Sequence, residues 1–231
     1  MIPLRDAAGA MLTWLGVAIF GALVFASGAL AMDFSKNPDE GENENAILAK
    51  GDIGPDDAFR FQTYLSKLAH KPLTSLYLDS TGGSIQGAMA LGRVVNEARI
   101  RTFVTGPSAR CNSACTNIFL AGRDRETGKP YRVKGTANKI GFHNFVPILQ
   151  DKPYTTKDAV SVIARAQDTI YALANFYQEI DADLELLGLG LKQKDIYLLP
   201  NQDALRYGIH VLDAATNELI RSETYTRFVR P

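Results

Sequence analysis

Two adjacent stretches of the chain repeat one pattern: an apolar strand, a polar turn, then an apolar helix. In the first, residues 73–78 carry Leu76 and Leu78 in a β-prone run. Asp79-Ser80-Thr81-Gly82-Gly83-Ser84 follows, and then Ile85, Ala88, Met89, Gly92 and Val95 recur at helical spacing. In the second, residues 101–105 form a strand and residues 106–112 a turn-prone segment. Ala114, Ile118 and Ala121, widened by Phe119 and Leu120, then mark a short buried helix. Two parallel units of this kind set both helix N-termini on one edge of a sheet, the edge at which α/β proteins bind ligands. The chain therefore reads as α/β, with its chemistry expected where the two turns meet.

Each turn brings its own chemistry. Gly82 and Gly83 reach backbone angles that other residues resist, and they let a ligand approach the main chain closely. N–H groups at a helix start favour negative charge. In the second turn, ARCNSACTNIFLAG (residues 109–122), Ser113 lies between Cys111 and Cys115 just where the helix begins. Serine is a favoured N-cap residue, and the segment alone fits that role. A hydroxyl among unpaired N–H groups at the positive end of a helix dipole also fits a nucleophile. If the two turns face each other, the N–H groups of Gly83 and Ala114 form a candidate oxyanion hole.

The rest of the chain supplies the candidates for partnership. Residues 46–50 form a short strand, residues 51–55 a turn, and Asp56 caps a helix carrying Phe59, Tyr64, Leu65 and Leu68. Residues 124–139 are charged and contain glycine, which predicts a surface hairpin or loop. Residues 140–145 are a β-prone run holding His143, and a serine at an exposed helix start is a partner for it. Residues 156–180 predict a long amphipathic helix whose apolar face packs on the sheet or on another subunit. Residues 201–207 predict one more helix and residues 208–212 a last strand, in which His210 is a structural residue. The domain is expected over residues 46–215, with a basic, polar tail over 216–231.

Composition and the N-terminus bound the function. Lys+Arg 25 against Asp+Glu 25 leaves no net charge, which argues against nucleic acid as a partner. There is no phosphate loop of the G-x-x-x-x-G-K-[ST] type, and 3 histidines with 2 cysteines offer few metal ligands, so neither cofactor nor metal is expected. From Ala7 to Met32 there is no charged residue; Arg5 precedes the apolar run, and Ala29-Leu30-Ala31 is a small-x-small cleavage site. Two readings follow: residues 1–31 are an export signal cleaved after Ala31, or residues 7–31 anchor the chain in a membrane. Either way the remainder is exported, into the periplasm or onto the outer side of the membrane, behind a polar linker over residues 32–45. In an oxidising compartment Cys111 and Cys115 lie within disulfide reach. Two buried free cysteines are the other reading.

Four segments in order resemble the Clp peptidase proteolytic subunit and the wider Clp/crotonase superfamily, which includes signal-peptide-peptidase-A-type enzymes. LYLDSTGGSIQGAM (residues 76–89) is similar to that family's strand and glycine-glycine oxyanion turn. Residues 111–122 resemble its nucleophile segment, with Ser113 on the nucleophile, and residues 140–145 its base-bearing strand, with His143 on the base. DIYLLPNQDALRYGI (residues 195–209) resembles the segment that opens on the orienting aspartate, here Asp195. The likeness spans residues 51–213 and is greatest to an exported branch. It implies a spiral of repeated β-β-α units and a homo-oligomer. It also implies a Ser-His-Asp peptidase, ATP-independent outside the cytoplasm, acting on peptides or unstructured protein segments. A crotonase-like acyl-thioester enzyme and an inactive binding or assembly module are the alternatives on the same fold. The sequence departs from the family in three places. Ser113 and His143 are 30 residues apart (143 − 113), one extra residue separates Asp195 from Tyr207, and the cytosolic peptidase lacks the flanking cysteines.

Overall fold

The computed structural model describes residues 31–38, 41–144 and 154–223. The expected signal or anchor, apart from Ala31, lies outside the described residues, as do Phe145 and residues 224–231 of the tail. Among the described residues no helix is long and apolar enough to cross a membrane.

In chain order the strands are β1 (Asp33–Lys36), β2 (Glu44–Lys50), β3 (Leu73–Asp79), β4 (Arg101–Val104), β5 (Arg110–Asn112), β6 (Arg132–Gly135), β7 (Lys139–Phe142), β8 (Tyr197–Leu198), β9 (His210–Asp213) and β10 (Glu218–Ile220). The helices are α1 (Asp57–Leu65), α2 (Ile85–Glu97), α3 (Cys115–Leu120), α4 (Thr156–Glu179), α5 (Leu184–Lys192) and α6 (Asn201–Arg206). A 7-stranded sheet runs β1-β2-β3-β4-β6-β9-β10, and a 3-stranded sheet runs β5-β7-β8. Strands β2, β3, β4, β6 and β9 are parallel, and β1 and β10 close the two edges antiparallel. Successive segments send one strand to the large sheet, one to the small sheet, and then a helix: β4, β5, α3, and again β6, β7, α4. That repeat makes the fold mixed α/β in the manner of the Clp peptidases.

The helices form where their spacing and caps dictate. Helix α2 buries Ala88, Leu91, Gly92 and Val95 on one face, and its N-cap Ser84 accepts from the Gly87 N–H at 3.0 Å. Gly92 lets α4 approach, since a Cβ there would lie 2.7 Å from Phe176 Cζ. Helix α4 opens on a full capping box, Thr155 with Asp158. Among the described residues its last turns pack, through Leu173, Phe176 and Tyr177, while Val160 and Ile163 stay exposed.

Three expectations require correction. Residues 33–36, read as part of a polar linker, form the edge strand β1, and the start of the presumed tail forms β10. The larger correction is β6. Residues 124–139 were expected at the surface, yet Arg132–Gly135 is buried throughout, between β4 and β9. Its two cations meet carbonyl and amide dipoles. Arg132 donates to the Ile180 carbonyl at 2.7 Å and to the Asp181 carbonyl at 3.2 Å, capping the C-terminus of α4, and Lys134 donates to Asn201 Oδ1. Burial, with Arg123 nearby, pulls the Arg132 guanidinium down to about 9, and burial likewise lowers Lys134. His210, expected to be structural, is buried and accepts from the Ser222 N–H at 3.1 Å.

The loop before β6 makes the fold sensitive to acid. Burial alone raises the Asp124 pKa. Hydrogen bonds from the Thr127 N–H and hydroxyl, both 2.8 Å, and from Arg101 outweigh that and hold it at about 2. The folded value is below the unfolded value of about 3.9, so this stabilisation is complete above that value and is lost as pH falls through about 2. Asp124→Asn is expected to flatten the fall in denaturant midpoint between about pH 4 and pH 2. An unchanged slope would show that other carboxyls govern acid unfolding.

Candidate active site

The two turns meet as one backbone assembly. Past β3, the Ser80 N–H donates to the Arg110 carbonyl at 2.8 Å, and the Asn112 N–H donates back to the Ser80 carbonyl at 3.1 Å. On the other side, the Ile53 N–H donates to the Gly82 carbonyl and the Ser84 N–H to the Ile53 carbonyl, both at 2.8 Å. Gly82 and Gly83 have φ of +116° and +140°. A Cβ on Gly82 would lie 2.7 Å from Ser113 Cβ, and one on Gly83 would lie 2.6 Å from the Ile53 nitrogen. Both positions therefore require glycine, by conformation and by space. Among the described residues, the N–H groups of Gly83 and Ala114 meet no acceptor.

Ser113 is not a helix cap. Its φ is +55°, in the left-handed region that a non-glycine residue enters at a cost of roughly 1–3 kcal/mol. The N-cap of α3 falls on Ala114 and has no side-chain bond. The surroundings hold Ser113 in this conformation. Its N–H donates to the Gly141 carbonyl at 2.8 Å, and its carbonyl accepts from the Thr116 N–H at 3.0 Å and the Thr116 hydroxyl at 2.7 Å. A disulfide joins Cys111 to Cys115 beneath the turn, both residues fully buried.

Ser113, Ala114 and His143 line one cavity of about 50 Å³, walled by Ile85, Phe142, Leu173, Tyr177 and Leu186. Tyr177 is buried, which pushes its phenol above its ordinary pKa; the phenol hydrogen-bonds to Thr116. His143 sits just past β7, where α5 approaches closely enough that a Cβ on Gly190 would lie 3.4 Å from the His143 carbonyl. His143 Nδ1 meets the Asn144 carbonyl. A carbonyl only accepts, so Nδ1 carries a proton, and in the neutral ring Nε2 then keeps its lone pair. That tautomer is the one a general base needs.

Asp195 does not join this constellation. It is exposed in the bend before β8, and among the described residues no hydrogen bond or ion pair joins it to His143. The pairing of β7 with β8 stops short of Asp195. β7 and β8 pair Gly141 with Leu198 and Phe142 with Tyr197, which carries on to set His143 opposite Ile196. Ile196 is itself 47% exposed, although its Cγ2 reaches over Gly141, 2.5 Å from where a Cβ there would be. The sequence reading missed Thr116 and Tyr177, whose only signals were an offset of three from Ser113 and a place on the apolar face of α4. It also missed Asn112, whose buried side-chain oxygen has no hydrogen-bond partner among the described residues.

No family model matches the chain, and no curated protein matches it. Among solved structures it is similar to the 1510-N membrane-bound stomatin-specific protease, solved as a serine-to-alanine mutant. That likeness has a TM-score of 0.51 and 17% identity, over 72% of this chain and 77% of the other. What the two share is the fold, a mixed α/β architecture of the Clp-peptidase type.

Proposed function

We propose that the chain is an exported, ATP-independent serine hydrolase acting on peptides or unstructured protein segments. The observation that carries this reading is the strained Ser113 turn packed against Gly82-Gly83, with His143 on the same cavity. In this reaction the Ser113 hydroxyl attacks the carbonyl carbon while His143 Nε2 takes its proton. The oxyanion is received by the Gly83 and Ala114 N–H groups, and His143 returns the proton to the leaving amine. The Asn144 carbonyl holds the imidazole, a duty the family resemblance gave to Asp195. The apolar N-terminal run and the Cys111–Cys115 disulfide agree with an oxidising, extracytoplasmic location. A protease of similar fold adds support at the level of architecture.

A fluorophosphonate probe tests the nucleophile. Wild-type protein is expected to be labelled on Ser113, and Ser113→Ala to take up none. A folded wild-type protein that resists the probe, or a Ser113→Ala variant that still reacts, would sink the reading. His143→Ala is expected to lower peptidase kcat by about 1,000-fold or more, as loss of a general base does in related chemistry. Asp195→Asn is expected to lower kcat by less than about 10-fold, against the roughly 10,000-fold loss seen where an aspartate does hold the histidine. A loss of the larger size would return Asp195 to the triad.

A further inference from the structure

Met32, the residue after the small-x-small site, is fully buried, and so is the Asp57 carboxylate it meets. The Met32 nitrogen donates to Asp57 Oδ2 at 3.1 Å. The same oxygen accepts from the Gly54 N–H at 2.7 Å, and Oδ1 accepts from Arg60 at 2.8 Å. Arg60 also donates to the Met32 carbonyl at 2.8 Å. A buried carboxylate bonded to one cation, one loop N–H and the Met32 nitrogen is a receptor for a positive charge on that nitrogen.

We propose that hydrolysis of the Ala31–Met32 peptide bond by a signal-type peptidase during export creates an α-ammonium on Met32 that docks onto Asp57 and sets the oxyanion turn. The C–N bond breaks. Water supplies hydroxyl to the Ala31 carbonyl carbon and a proton to the Met32 nitrogen, which takes up a further proton as an ammonium. That nitrogen keeps its bond to Asp57 and gains a full charge against it. The consequence reaches the site through two residues. Asp57 holds the Gly54 N–H, and next to Gly54 the Ile53 backbone accepts from Ser84 and donates to Gly82 on either side of Gly83. The backing that aims the Gly83 N–H is thus fastened to the carboxylate that receives the new terminus. This inference rests on the export reading; its effect on Ser113 rests also on the hydrolase reading.

The full chain, expressed with export, is analysed by intact mass and by acylation of the native protein with an N-hydroxysuccinimide acetate. The expected mature N-terminus is Met32, its amine acylated at least about 10-fold more slowly than the exposed Lys50. Asp57→Asn should abolish that protection. One alanine inserted between Ala31 and Met32, with cleavage before it, keeps Asp57 intact but displaces the ammonium. Its amine should react freely, and Ser113 should take the fluorophosphonate about 10-fold more slowly. A mature terminus other than Met32, or a Met32 amine as reactive as Lys50, overturns the docking. Unchanged Ser113 labelling in the insertion variant overturns the link to the site. No labelling in any form, with the amine still protected, upholds the docking and rejects only the hydrolase reading.

Discussion

The site depends on two stretches of main chain lying closer than side chains would permit. Gly82 touches the Ser113 turn on one side, and Gly83 touches Ile53 on the other. A ladder of backbone hydrogen bonds runs through this contact, from Ile53 to Gly82, from Ser80 to Arg110 and Asn112, and from Ser113 to Gly141. Four segments remote in sequence are thereby set relative to one another by peptide groups alone. Peptide groups have few conformational choices, so the positions they fix are more definite than those of surface side chains. The strain at Ser113 persists because each of its polar backbone atoms is already committed.

What could be read in advance follows from which constraints are local. A glycine pair between strand and helix, a serine at a helix start and a histidine ending an apolar strand are short-range patterns, and the structure packs the glycine pair against the Ser113 turn and sets Ser113 and His143 on one cavity. β6 was illegible for the opposite reason. Arg-Val-Lys-Gly looks solvated until the Ile180 and Asp181 carbonyls and the Asn201 side chain are seen to meet its charges, and they arrive more than forty residues later. Asp195 stands in an exposed bend just outside the β7–β8 pairing, where short-range pattern says little about which way a side chain faces. β1 and β10 escaped notice because short polar edge strands carry little pattern of their own.

The cavity and the nucleophile turn share a support. Tyr177 forms part of the wall beside Ser113, and through Thr116 it is also bonded to the Ser113 carbonyl. Whatever fills the space beside Tyr177 therefore presses on a group that helps hold the nucleophile. Helix α4 brings Tyr177 there, and α4 ends against Arg132 from the middle of the large sheet.

The order of strands in the large sheet has a consequence for how the chain is made. β6 gains its second neighbour only when Val133 meets His210, late in the sequence. During synthesis or translocation the growing sheet presents β6 as an open edge, the N–H and C=O groups on that side unmatched, until the last tenth of the chain is delivered. Slow arrival of β9 is then the interval in which pairing with a neighbouring chain competes with folding. The two cations of β6, repelling their counterparts on any such neighbour, are well placed to discourage it.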